Sequence, residues 1–243
     1  MQDFLLHRKN RSYIICHIAT WQLYFFAIFR GVMRQLSIFD KVLTQVNDAL
    51  TTVFTVSSDA RKSPAEKIDD VVLTEKEKKN SMGYMRVNHT GEVCAQALYR
   101  GQSIGCRSEK TRRMLEQSCI EETDHLAWTK QRLSELNGKT SYLNIFFYGN
   151  AFFIGAVASL VGDRWSLGFV SETEIQVAAH LEKHLEKLSM ADLKSRAIVS
   201  QMQIEEMEHD KKAVAAGAVE LPLPIKQLMQ LHAKVMTTLA YWI

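Results

Sequence analysis

The sequence is poor in several features that mark other classes of protein. Its 243 residues include only four cysteines, Cys16, Cys94, Cys106 and Cys119. None forms a Cys-x-x-Cys pair and their spacing gives no disulfide framework, which fits a reducing compartment. Cys94 and Cys119 fall within helical segments and read as small buried apolar residues rather than ligands. There are only three prolines, all where loops are expected, so long uninterrupted helices are allowed. The formal net charge is only +3, and basic residues are interleaved with acids, so nothing argues for a nucleic-acid partner. Apolar residues are not scarce: at 47% of the chain they can build one substantial core, and the length fits one domain or two.

Against that background six residues stand out: Glu92, the pair Glu122 and His125, Glu174, and the pair Glu206 and His209. Glu-x-x-His occurs twice, and on an α-helix residues three apart share a face. A carboxylate and an imidazole so placed can bind one metal ion together. Each pair follows a helical segment with a lone candidate carboxylate, Glu92 lying 30 residues before Glu122 and Glu174 lying 32 before Glu206. One such pair is an ordinary solvated helix face. Two, at near-equal spacing from an upstream Glu, read as one half-site written twice, the ligand pattern of ferritin-like four-helix carboxylate proteins. The register stays open on spacing alone, because Glu121 and Glu205 precede the motif glutamates and form i,i+4 pairs with the same histidines.

Taken in order, residues 1–32 differ from the rest. Tyr13 to Phe29 is an uncharged apolar run with Arg8, Lys9 and Arg11 before it and Arg30 after it. It is slightly short of the roughly 20 residues of a spanning helix, and Gly31-Val32 is unlike a small-x-small cleavage site. The preferred expectation is that translation begins at Met33, leaving 1–32 as an unassigned extension. Residues 33–73 are expected to form a short amphipathic helix, with Ile38, Val42, Leu43, Val46, Leu50 and Phe54 at helical spacing over 37–54, and then a polar linker over 57–70.

Residues 74–243 hold the bundle. Thr74 to Glu77 is a capping-box pattern that opens a helix over 74–104. Its stripe through Glu92 contains Met85, His89, Gln96 and Tyr99, unexpectedly polar for a core face, and burial of such a stripe requires that it be satisfied. The alternative is that this stripe faces solvent while Val87, Ala95 and Leu98 face the core. A second helix over 109–136 ends at Asn137-Gly138. Residues 142–161 are almost wholly apolar and match a bilayer span in length, but a lone span would put the two half-sites on opposite sides of a membrane. The expectation is a hydrophobic crossover helix, packed on the bundle or dipped into one leaflet. The third bundle helix, 163–188, carries Glu174, with His184 expected to be exposed and His180 a candidate for a substrate contact. Ser189 to Asp192 is read as a capping box opening the fourth, which stops at Gly217. The tail, 225–243, is amphipathic and basic, suited to a membrane surface or to closing the bundle.

Four carboxylates and two imidazoles suit iron or manganese rather than structural zinc, and two Fe(II) ions point to O2 activation. Asp124 and Glu208, adjacent in sequence to ligand positions, are not expected to support the histidines, since neighbouring helical residues point apart.

The chain resembles the demethoxyubiquinone hydroxylases, membrane-bound di-iron monooxygenases of ubiquinone biosynthesis. The matching stretches are Met85 to Tyr99, with its specific Asn-His-Thr-Gly-Glu core, Glu121 to Trp128, Ser166 to Val170 with Thr173-Glu174, and Glu205 to His209. The resemblance runs from about Met33 to the C-terminus. It implies an all-α, ferritin-like four-helix bundle with a hydrophobic crossover helix and an added C-terminal amphipathic helix. It implies a di-iron centre with two iron ions on Glu92, Glu122, His125, Glu174, Glu206 and His209. The implied reaction is hydroxylation of a 6-methoxy-3-methyl-2-polyprenyl-1,4-benzoquinol by O2 at the cytoplasmic face of the inner membrane, beside other ubiquinone-biosynthesis proteins. Tyr99, His180, Phe152 and Phe153 are candidate substrate contacts, with the prenyl chain along 146–160. The competing reading is a ferritin-like iron oxidase or storage protein, or a peroxidase. A storage shell has no use for a continuous apolar crossover, and a rubrerythrin-like peroxidase normally adds the Cys-x-x-Cys module that this sequence lacks.

Overall fold

A computed structural model describes residues 37–55 and 61–243. The apolar run before Met33 and the start expected there lie outside the described residues. Seven helices run in order: α1 (Ile38–Phe54), α2 (Glu75–Gly105), α3 (Glu109–Glu135), α4 (Asn144–Val161), α5 (Asp163–Lys187), α6 (Leu193–Ala215) and α7 (Leu223–Trp242). No strand occurs among the described residues. The chain divides into two compact units, Met1–Thr44 and Gln45–Ile243, with α1 straddling the division. In the first, the Ser37 hydroxyl accepts from the Asp40 N–H and caps the start of α1.

Local chemistry sets the helix ends. Thr74 caps α2 with a complete capping box, its side chain accepting from the Glu77 N–H while Glu77 accepts from the Thr74 N–H. Ser108 caps α3, and Asn137 stops it in the left-handed region (φ 59). The C-terminal signal is therefore executed by Asn137 rather than by Gly138. Gly162 alone joins α4 to α5 at φ 122, ψ 158, a conformation open essentially only to glycine. The capping box expected at Ser189 is replaced by a single cap one turn later. Asp192 accepts from the Ser195 N–H, while the Ser189 hydroxyl donates to Glu77 and holds the end of α5 near the start of α2.

α2, α3, α5 and α6 are the four bundle helices, and α4 is the crossover between the two helical pairs. α2 is buried on nearly every side. Met85, His89, Glu92, Gln96 and Tyr99 line the bundle interior as one stripe, and Val87, Ala95 and Leu98 are buried as well. Both faces are covered because α4 packs against α2 backbone to backbone. A Cβ at Gly101 would come within 2.2 Å of the Phe152 carbonyl oxygen, and one at Gly155 within 2.2 Å of that of Leu98. α4 thus buries Phe147, Tyr148, Ala151, Gly155 and Ser159 and leaves Ile145, Phe146, Phe153, Val157 and Leu160 exposed. Among the described residues it is the helix long and apolar enough to cross a membrane, yet one third of that stretch is buried against the protein.

α1 packs inward through Val53 and Ala49 and through polar side chains beside them. Thr52 donates to Gln96, and Arg100 pairs with Asp48, leaving Val46, Leu50 and Phe54 of the apolar stripe exposed. α7 both closes and exposes. Ala240 is buried, the Tyr241 ring fills the space over Gly83 and its hydroxyl donates to Asn80, while Leu228, Leu231, Val235 and Trp242 face outward. Residues 61–70 are more than a polar linker. Ala65 is buried against Trp128, Leu133 and Met202, and Asp70 accepts from Lys194.

Candidate metal centre

The six residues singled out by pattern converge, and all are 0–3% exposed. α2 supplies Glu92, α3 Glu122 and His125, α5 Glu174, and α6 Glu206 and His209. Two apolar plugs enclose them. On one side lie Met85, Trp128, Leu133, Leu181, Ile198 and Met202; on the other, Ala95, Tyr99, Leu115, Cys119, Val170 and Ala213.

The two Glu-x-x-His pairs face each other in a crossed arrangement. Glu122 Oε2 lies 2.9 Å from His125 Nδ1, and its other oxygen lies 3.1 Å from His209 Nδ1. Glu206 mirrors this, one oxygen 3.2 Å from His209 Nδ1 and the other 3.2 Å from His125 Nδ1. Glu92 approaches the His125 side at 3.6 Å. Potential ligand atoms of Glu92, Glu122, His125 and Glu206 all lie within 4.8 Å of one another, as do those of Glu174, Glu206 and His209. Glu206 belongs to both groups.

The glutamates left ambiguous by sequence have their own places. Glu205 Oε2 sits 2.9 Å from His125 Nε2, and Glu121 Oε2 sits 2.7 Å from His209 Nε2. Each outer Glu thus serves the histidine of the opposite helix. With both Nε2 atoms so engaged, both Nδ1 atoms face inward together, as ligand nitrogens must. The repeat extends further than the ligands: Gln117, Glu121, Glu122 and His125 recur 84 positions later as Gln201, Glu205, Glu206 and His209. In each copy the glutamine donates to the outer glutamate four residues on.

The electrostatics call for cations. Burial, then the neighbouring Glu122 carboxylate, push Glu92 well above the usual carboxylate range. Burial and Glu206 do the same to Glu174. Burial opposes ionisation of Glu122, but the two imidazoles overcome it and hold that carboxyl well below its ordinary value. Burial likewise pulls both imidazoles down, yet Glu122, Glu205 and Glu206 hold His125 well above its usual value, and Glu122 with Glu206 raise His209 to about 12. Protons satisfy the cluster poorly. His125 Nδ1 has one hydrogen at most for three carboxylate oxygens, and one oxygen each of Glu122, Glu174 and Glu206 is buried without a hydrogen bond. Buried charge left uncompensated costs several kcal/mol per group. A hard or borderline cation fits the oxygen-rich donor set, so these residues suit a metal ion.

The remaining candidates lie elsewhere. Tyr99 continues the Glu92 stripe and is wholly buried, its hydroxyl without a partner. His180 is half-buried and packs on His184, ring centroids 4.1 Å apart, rather than on any of the six. His184, expected at the surface, is buried. Its Nδ1 lies 2.7 Å from Asn88 Oδ1 and its ring packs on Tyr84, because α2 and α7 cover that face of α5. Phe152 stacks on Tyr148 and is half-buried, and Phe153 is 67% exposed. Asp124 touches neither histidine, as expected, but binds Arg61, which also binds Glu205. Nothing in the spacing around Arg61 marked that role.

The fold and site together define a ferritin-like helical bundle with a buried Glu/His cluster able to hold metal. Comparison with known proteins narrows this. Residues 79–240 match the family model described as ubiquinone biosynthesis protein COQ7. The chain is 52% identical over 210 residues to a 3-demethoxyubiquinol 3-hydroxylase of Coxiella burnetii (strain Dugway 5J108-111), covering 86% of this chain and 98% of that protein. Proteins of the same name from Nitrosospira multiformis and Nitrosococcus oceani are 49% and 50% identical, over 84% and 86% of this chain and 98% and 99% of theirs. The chain belongs to the COQ7 family of ubiquinone biosynthesis proteins.

Proposed function

We propose that this chain is an O2-dependent monooxygenase that hydroxylates a demethoxyubiquinol, 6-methoxy-3-methyl-2-polyprenyl-1,4-benzoquinol, at its remaining open ring carbon. The observation that supports it best is the doubled cluster: two overlapping groups of buried ligand atoms with Glu206 common to both, in a chain half identical to proteins named for that hydroxylation. Glu92, Glu122, His125 and Glu206 would hold one iron ion, and Glu174, Glu206 and His209, with the second oxygen of Glu122, the other. Two irons held there would activate O2, passing to it the two electrons that an external reductant supplies for each turnover. The chain's own residues orient and shelter. Glu121 and Glu205 fix the imidazoles, and the apolar plugs exclude water from the reacting ring. The buried Tyr99 hydroxyl is a donor or acceptor available to a quinol oxygen.

A polyprenyl quinol resides in the bilayer, and the exposed apolar faces of α1, α4 and α7 suit a protein lying on the cytoplasmic face of the inner membrane. α4 bridges the other two. Tyr148 and Ala151 pack with Val53 of α1, and Asn150 meets His232 of α7 at 2.7 Å. The prenyl chain would run along the outer face of α4 past Phe146 and Phe153. His180 packs against His184 and keeps a buried Nε2 without a hydrogen bond, a group available to a quinol oxygen.

The deciding experiment is anaerobic loading of the protein with Fe(II), followed by iron analysis and addition of a demethoxyubiquinol, a reductant and O2. Two irons per chain and a ring-hydroxylated product are expected. Two irons with O2 consumed but no product would point instead to a ferroxidase or peroxidase, and absence of bound iron would overturn the metal reading.

A further inference from the structure

The two halves of the centre are built alike up to the outer glutamates and differ in what holds those glutamates. Glu121 is held by Gln117 and by Lys212, whose ammonium donates to Oε2 at 2.7 Å from a half-exposed chain. Glu205 is held by Gln201 and by Arg61. Arg61 belongs neither to the bundle nor to residues 79–240 of the family match. It comes from the segment that runs across α3 and α6 before α2 begins.

Arg61 is fixed at every polar group it has. Its backbone N–H donates to Asp124 Oδ1 at 2.7 Å, and its carbonyl accepts from the Trp128 indole N–H at 2.8 Å. Its Nε donates to the other Asp124 oxygen. Its two terminal nitrogens donate to the two oxygens of Glu205, at 3.1 and 2.7 Å. The guanidinium lies 5.1 Å from the centroid of the Trp128 ring, and that ring in turn packs on His125 at 5.4 Å. A planar fork gripping a carboxylate at both oxygens fixes its orientation, which one ammonium on a flexible stem does not. The side chain is 54% exposed. A lone pair at that exposure is worth little, but here it is one member of a network anchored by two main-chain hydrogen bonds.

We propose that Arg61 is a positioning residue for one half of the centre: through Glu205 it fixes the His125 imidazole and strengthens metal binding at the His125 group of ligands, while the His209 group, supported by Lys212, is indifferent to it. The inference rests on the reading of these residues as metal ligands. It makes the two metal positions unequal despite their repeated sequence, with the segment before α2 acting on only one of them.

The test uses Co(II), titrated by its absorption bands into the full metal-free chain. In a His209→Ala background, which retains the His125 group, Arg61→Ala should lower Co(II) affinity roughly 10- to 100-fold, the usual cost of removing an outer partner of a ligand. In a His125→Ala background the same change should alter affinity less than about threefold, well below that cost. Arg61→Lys, which keeps the charge and loses the fork, should fall between, and it substitutes for Arg61→Ala if that variant melts early. Equal losses in the two backgrounds, or none in either, would overturn the inference while leaving the metal reading intact. Failure of the unsubstituted chain to bind Co(II) would overturn both.

Discussion

Glu206, like Glu122, spans both halves of the centre, with one oxygen 3.2 Å from each imidazole, and its ligand atoms belong to both groups. Glu206→Ala should therefore weaken metal binding at both positions, by more than the roughly 100-fold that accompanies loss of an outer hydrogen-bond partner. Glu208→Ala, two residues on and exposed, should leave metal content unchanged. Metal analysis of the two purified variants, loaded side by side, checks both. The six ligand candidates were legible in sequence because a helix forces i,i+3 residues together and the pattern occurs twice. The outer glutamates were not assignable. Residues 121 and 122 differ by about 100° around the helix, and either can share a face with His125. What separates them is that Glu121 reaches the histidine of α6 and Glu205 that of α3, a relation between helices that no spacing within one helix encodes. Arg61 was less visible still, since its partners lie 63 and 144 residues away.

Helices and their ends followed closely from periodicity and capping, but the covering of each face did not. α2 posed a choice between a polar and an apolar inward stripe, and both are buried: Ala95 joins Tyr99 in the interior, while Leu98 lies under α4, on the side that a four-helix bundle alone would leave open. His184 was misplaced because α2, through Asn88 and Tyr84, covers its face of α5. Close approach of α2 and α4 depends on glycine at the crossing. Gly155→Ala would set a Cβ 2.2 Å from the Leu98 carbonyl oxygen, and a backbone atom cannot swing aside. Overpacking of this kind costs about 1–3 kcal/mol. Gly149 lies on the same helix with nothing within 4 Å of its absent Cβ, so Gly149→Ala should be neutral or stabilise by up to about 1 kcal/mol through helix propensity. Denaturant unfolding of the two variants should show shifts of opposite or clearly unequal size. A matching loss in both would mean that α4 does not pack through its glycines.

At the scale of the whole molecule, the proposed function requires that a lipid-borne ring reach a buried centre, and the exposed apolar surface is where that proposal can be tested. The exposed side chains of α4 and α7 include Phe146, Phe153, Leu160, Leu231 and Trp242, more than solitary surface hydrophobics explain. Phe153 offers the cleanest test. Phe152 stacks on Tyr148 and belongs to the cluster with Val93 and Ala97, so a charge there would disturb packing as well as any lipid contact. Phe153 projects outward, and a charge there removes only the contact outside. Phe153→Glu should reduce flotation with liposomes and lower turnover of a long-chain demethoxyubiquinol by about tenfold, roughly the 1.4 kcal/mol that loss of one or two apolar groups from a lipid contact represents. Iron content and turnover of a short-chain, water-soluble analogue should be unchanged. If both quinols slow equally, Phe153 acts on the fold or the centre. If neither slows, the prenyl chain reaches the ring site by another face, and α1 with its exposed Val46, Leu50 and Phe54 becomes the surface to alter next.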